Sequence, residues 1–142
     1  MAFVSEKPIR FHHCDPAGIV FYPQYFVLMN ELVEDWFERR LGVPFSQLHQ
    51  HDRLGVPMGR VVCDFLEPSQ IGDVLAFELA VERIGNASIR IAVTARCADE
   101  VRLRATLTLV QASLETRRSV PLSPELREKM ARDLVDAERA AR

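Results

Sequence analysis

Phe11-His12-His13-Cys14-Asp15-Pro16-Ala17-Gly18-Ile19-Val20-Phe21-Tyr22-Pro23 is the stretch on which the reading of this chain turns. Asp15-Pro16-Ala17-Gly18 carries turn chemistry: proline fixes φ and glycine admits a positive φ. Pro23 suits the first turn of a helix, where its missing N–H costs nothing. Ile9 to Phe11 reads as the end of a short first strand. One carboxylate therefore stands a few residues before a helix N-terminus. The free backbone N–H groups of such a terminus can polarise a carbonyl while an acid works on it.

Outward from this turn, the pattern predicts a helix from Gln24 to about Leu41. Phe26, Met29, Val33, Trp36 and Phe37 recur at helical spacing on one face. Glu31, Glu34, Asp35 and Glu38 form an acidic stripe opposite. Gly42 and Pro44 stop the helix. Phe45 to Pro57 is a polar connecting segment with room for one short helical turn. Four extended runs follow, at Met58 to Leu66, Val74 to Ile84, Ser88 to Cys97 and Val101 to Leu114. The last three alternate apolar and polar residues with period 2, as half-buried antiparallel strands do. Turns at Gly85-Asn86 and Asp99-Glu100 join them into a meander. A helix of about 18 residues is roughly 27 Å long, and strands of about 10 residues are roughly 33 Å. One apolar helix face and one apolar sheet face are buried most simply against each other. Ser123-Pro124-Glu125 opens a tail helix over about 123–141, with Leu126, Met130 and Leu134 on one stripe. That tail reads as a surface or inter-subunit element rather than core.

The bulk numbers narrow the function. A chain of 142 residues suits one domain spanning 1–142. With 48% apolar and 27% charged residues it can pack a core without disulfides. A net charge of −2 argues against a nucleic-acid partner. No apolar run approaches the roughly 20 residues that cross a bilayer, and no secretory signal is visible at the start. Cys14, Cys63 and Cys97 are an odd count without paired spacing, which predicts reduced thiols and a cytoplasmic protein.

The order of a strand, an Asp-turn, a long helix and a four-strand meander resembles the hot-dog fold. Cys14-Asp15-Pro16-Ala17-Gly18-Ile19-Val20, followed by Phe21-Tyr22-Pro23 and Tyr25, resembles one branch of the 4-hydroxybenzoyl-CoA thioesterase family. The resemblance covers about 8–114. It implies an α+β fold: an antiparallel sheet of about five strands wrapped around a long central helix, plus a C-terminal helix. It also implies hydrolysis of an acyl-CoA thioester to a free acid and coenzyme A, with no cofactor beyond the substrate's own coenzyme A. In that branch the turn aspartate, here Asp15, is the catalytic carboxylate, and the backbone N–H matching Tyr22 polarises the thioester carbonyl. Gly18 keeps the backbone close to the substrate path. Family members pair their sheets edge to edge as dimers, and often as tetramers, with the active site between subunits. A homo-oligomer is therefore expected.

Other residues are weighed beside Asp15, which could equally be an Asx-turn residue. His12, His13, Cys14 and Asp15 invite a metal or thiolate reading. Adjacent strand residues point to opposite faces, so they cannot converge on one ion, and no metal site is predicted. His13 lines the pocket or is a hydrogen-bonded histidine at a strand end. Asn30 is read as a buried amide on the helix's apolar face. Phe11, Phe21, Tyr25 and Phe65 supply an apolar and aromatic lining that suits an aromatic or medium acyl group. Arg83, Ser88, Arg90, Arg102, Arg104, Arg117 and Arg118 are candidates for coenzyme A contacts. Some relatives carry a strongly basic turn between the third and fourth strands, where this chain has Ile84-Gly85-Asn86-Ala87. An alternative from another class is a non-catalytic hot-dog module binding an acyl carrier or partner protein. A dehydratase is disfavoured, because Gln24 to Leu41 contains no histidine.

Overall fold

Period-2 apolar alternation puts Leu75, Phe77, Leu79 and Val81 on one face of a strand, and all four are buried against the long helix. The computed structural model describes residues 2–135. In chain order the elements are β1 (Phe3–Pro8), α1 (Tyr22–Arg39), β2 (Leu54–Gly55), β3 (Met58–Phe65), β4 (Val74–Ile84), β5 (Ser88–Cys97), β6 (Glu100–Val110), β7 (Ala112–Ser113) and α2 (Pro124–Ala131). Five strands form one antiparallel sheet in the order β1-β4-β5-β6-β3, while β2 and β7 pair separately. β4, β5 and β6 are the expected meander, and the expected α+β hot-dog architecture is what forms.

The first strand lies earlier than expected. β1 ends at Pro8, and Phe11–His13 form a 3-10 turn instead of a strand end. The reason is local: Arg10 N–H donates to His13 Nδ1 at 2.9 Å, and Cys14 N–H donates to Phe11 O at 3.1 Å. Backbone groups satisfied this way have no need of a sheet partner. Ser5 and Lys7 hid β1 from the sequence pattern, because Ser5 is buried as a polar residue. Its Oγ donates to Asp35 Oδ2 at 3.1 Å, and Lys7 pairs with the same carboxylate at 2.5 Å. Asp35 is thus drawn out of the solvated acidic stripe.

The buried face of α1 is Tyr25, Leu28, Met29, Leu32, Val33, Trp36 and Phe37, with Phe26 at its exposed margin. The C-terminal tail is core rather than surface. Leu126 and Met130 are buried, and Asp133 accepts from Trp36 Nε1 at 2.9 Å and Arg40 Nε at 3.1 Å. Leu134 falls on an exposed position, and the end of the expected tail helix, 136–141, lies outside the described residues. β3 has β6 on one side only, and its apolar Met58, Val61, Val62 and Phe65 are exposed.

Candidate active site

The Asp15 turn is a closed loop standing on the first residue of α1. Cys14 bridges Val20, Asp15 N–H donates to Ile19 O at 3.0 Å, and Phe21 N–H donates to His13 O at 2.9 Å. At the tip, Ala17 N–H donates to Asp15 Oδ1 at 2.9 Å, an Asx turn. Asp15 Oδ2 makes no hydrogen bond among the described residues. Gly18 has φ +82°, with nothing within 4 Å of where a Cβ would stand. It is required for that backbone conformation rather than for space. Its N–H is spent on Asp15 O at 2.9 Å, so Gly18 shapes the turn and has no N–H to offer a substrate.

A second loop supports the first. Val20 N–H donates to Ser69 O at 2.8 Å, and Ile19 bridges Gln70. That loop is fastened by Arg102, whose Nη1 reaches Pro68 O at 3.0 Å, Ser69 Oγ at 3.0 Å and Asp73 Oδ2 at 2.9 Å. Its Nε also lies 2.6 Å from Glu100 Oε1, an ion-pair contact without hydrogen-bond geometry. The Gln70 N–H, and then the Arg102 guanidinium, hold the Asp73 carboxyl below the usual carboxylate range. Arg102 is therefore committed to this latch and is withdrawn from the coenzyme A candidates.

Tyr22 opens α1, so its N–H has no acceptor one helical turn back, and Pro23 has no N–H at all. Around it the aromatic rings gather. Phe65 lies 6.2 Å from Tyr22, 5.6 Å from Tyr25 and 6.3 Å from Phe26 between ring centroids, and Phe21 lies 5.6 Å from Tyr22. Tyr22 is 59% exposed, Phe21 48% and Phe65 47%, so this is an open aromatic rim. Phe11 is 84% exposed and stands apart from it. His13 is buried, and its Nδ1 accepts the Arg10 N–H, which places its proton on Nε2. Burial, and then neighbouring His12, pushes its pKa down.

Three sequence candidates fall elsewhere. Asn30 is exposed rather than a buried amide, because the core side of α1 passes through Met29, Leu32 and Val33. Arg83 and Ser88 belong to the β4–β5 turn, at the far end of β4 from Asp73 and the Asp15 loop. Ten residues of strand put them about 33 Å away within one copy. Among the described residues no group of three or more His, Cys, Asp or Glu side chains is placed to hold a metal ion. The sequence reading passed over a cavity of about 670 Å³ between the middle of α1 and the β2–β7 pair, lined in part by Asn30, His49 and Arg117. Arg117 was visible as a cation, but His49 lay in an undistinguished loop.

Residues 9–130 match the family model described as the Thioesterase-like superfamily. The chain belongs to that superfamily. The match reaches well past Leu114, as the buried tail requires. Membership agrees with the enzyme class expected from the sequence, an acyl-CoA thioesterase. Among similar proteins, a 1,4-dihydroxy-2-naphthoyl-CoA hydrolase of Nostoc punctiforme is 25% identical over 142 residues, covering 100% of this chain and 95% of its own length. The structure of a gentisyl-coenzyme A thioesterase is 24% identical with a TM-score of 0.81, covering 88% of this chain and 99% of its own. A 1,4-dihydroxy-2-naphthoyl-CoA thioesterase from Synechocystis is 20% identical with a TM-score of 0.83, covering 92% and 96%. These two structures share the fold.

Proposed function

We propose that this protein hydrolyses an aromatic acyl-CoA thioester to the free acid and coenzyme A. The observation that carries the reading is the Asp15 loop, closed onto the first turn of α1 beneath an exposed aromatic rim. Asp15 Oδ1 is engaged by Ala17 N–H, which fixes the carboxylate and leaves Oδ2 for chemistry. Oδ2 either attacks the thioester carbon, expelling the thiolate and leaving an anhydride for water to cleave, or takes a proton from an attacking water. The Tyr22 N–H and the helix dipole stabilise the oxyanion that develops in both routes. Water and the protein's own groups suffice, so no cofactor is invoked.

The substrate assignment draws on the dihydroxynaphthoyl-CoA and gentisyl-CoA names of the similar proteins. A 4-hydroxybenzoyl-CoA substrate, suggested by the sequence resemblance, belongs to the same class of hydroxylated aromatic thioesters. The working unit is a homodimer joined along β3, whose unpaired edge carries exposed apolar residues, in the cytoplasm. The test is a panel of aromatic and straight-chain acyl-CoAs with a thiol-release dye. The reading expects turnover highest on hydroxylated aromatic thioesters. Binding without turnover on every acyl chain would replace it with a carrier-binding module.

A further inference from the structure

His13 is 5% exposed, and two hydrogen bonds close a ring between it and Arg10. His13 N–H donates to Arg10 O at 3.0 Å, and Arg10 N–H donates back to His13 Nδ1 at 2.9 Å. Only the neutral imidazole can accept in this way, because the imidazolium is a donor at both nitrogens. Arg10 is itself anchored through its neighbour. Ile9 N–H donates to Asp73 O at 2.8 Å, and Ile9 O accepts from Gly72 N–H at 3.0 Å. The His13 ring therefore ties the Asp15 loop to the 67–73 loop at a second point, apart from the Val20 N–H bond to Ser69 O.

What this ring holds is the spacing between the carboxylate and the helix start. Three rungs join residues 13–15 to 19–21: Phe21 N–H on His13 O, the Cys14–Val20 bridge, and Asp15 N–H on Ile19 O. Asp15 closes the far rung, and Tyr22 follows the near one. The near rung is His13's own, so a shift of His13 moves the base of the ladder against the first N–H of α1. In a preorganised site a misplacement of about 1 Å costs about 10²-fold in rate.

The groups around the ring decide what a proton does there. Arg10 and His12 stand on the same turn, with the His12 ring centroid 4.0 Å away, Asp15 lies two residues on, and Glu31 stands on α1. Burial first, and then His12, lowers the His13 pKa from the ordinary 6.5; Glu31 opposes this and Arg10 adds to it. The closed loop takes up a proton less readily than an opened one. Above 6.5 the clasp is at full strength, and as pH falls from there toward the depressed value the opened form gains.

We propose that His13 is the positioning residue of this site: its Nδ1 lone pair keeps the Asp15 loop closed on α1, and a proton on that nitrogen releases it. This deepens the proposed hydrolysis and rests on it.

The experiment has two readouts. First, kcat on a hydroxylated aromatic acyl-CoA is followed between about pH 5 and pH 8 for wild type, His13→Ala and His13→Asn. Asparagine carries Oδ1 on Cγ, as histidine carries Nδ1, and its amide does not titrate. Wild-type kcat is expected to fall about fivefold or more toward the acid end. His13→Ala is expected to lie about tenfold or more below wild type at the alkaline end. His13→Asn is expected to stay within about twofold of wild type there, and to keep a larger share of its kcat at the acid end. A merely structural role would lower both variants and leave the shape of the profile alone. An Asn variant with the wild-type profile shape, or an Ala variant with wild-type kcat, overturns the proposal. Second, protection of the Asp15 and Phe21 amides against hydrogen exchange is measured without substrate. It is expected to weaken with acid in wild type and not in His13→Asn, and protection independent of pH in wild type overturns the proposal. A wild type that shows the pH-dependent protection but turns over no acyl-CoA overturns the hydrolase reading and leaves the clasp standing.

Discussion

On the proposed mechanism, Asp15 divides its carboxylate between structure and chemistry. Ala17 N–H holds Oδ1 at 2.9 Å, which orients the side chain at the loop tip. The turn reading and the catalytic reading of this residue are therefore compatible. Tyr22 divides its work in another way, with the N–H at the helix start and the ring on the Phe65 rim. Tyr22→Phe keeps the N–H and most of the ring, so it is expected to retain most of the wild-type kcat, with any loss appearing in KM. A large fall in kcat would assign the chemistry to the phenol instead. The turn was legible in the sequence because every bond that makes it spans a few residues. Asn30 was read as buried for a different reason. Pattern identifies the face of an element but not its depth.

At the scale of elements, the Asp15 loop leans on the 67–73 loop, which leans in turn on Arg102. Arg102 and Asp73 are 29 residues apart, and nothing in the local sequence announces that they meet. The Asp73 carboxyl titrates below its ordinary 3.8. A depressed carboxylate stabilises the fold above its unfolded pKa, and that contribution is lost as pH falls through the folded one. The Tm difference between wild type and Asp73→Asn is therefore expected to be wide at pH 7 and to close below about pH 4. A gap independent of pH would contradict the latch. The C-terminal segment is tied down similarly. Asp133 is 1% exposed and bonds Trp36 and Arg40, so Asp133→Ala strands a buried indole N–H and unpairs the guanidinium. A loss of about 2–3 kcal/mol in urea unfolding is expected. The short stripe of Leu126 and Met130 did not reveal this, because the anchor is a polar residue beyond the helix. On α1, Met29, Val33, Trp36 and Phe37 are buried as read, and only the first position differs, with Tyr25 buried and Phe26 at the margin, since an aromatic-rich turn offers two neighbouring rings for one core position.

For the whole molecule, the sheet order leaves β3 as an edge with exposed apolar side chains on both faces. Long, exposed, apolar edges are normally covered, and in the proposed homodimer a second copy would cover this one. Val62→Asp places a charge at the middle of that edge. It is expected to give monomers by light scattering, with unchanged far-UV circular dichroism and lost thioester hydrolysis. Full activity in a monomer would refute the shared site. The helix-and-meander architecture was legible because α1 and β4 to β6 each carry a clean period. The short β2–β7 pair was not, because two-residue strands carry no period at all, and with them the cavity wall escaped notice.

On the proposed mechanism Asp15 performs the hydrolysis. Asparagine retains an acceptor for Ala17 N–H but can neither attack the thioester as a carboxylate nor take a proton from water. The direct measurement is kcat for thiol release from a hydroxylated aromatic acyl-CoA by wild type and Asp15→Asn, at matched thermal stability. A fall of about 10²–10⁴-fold is expected in the variant. A kcat equal to that of the wild type would contradict it.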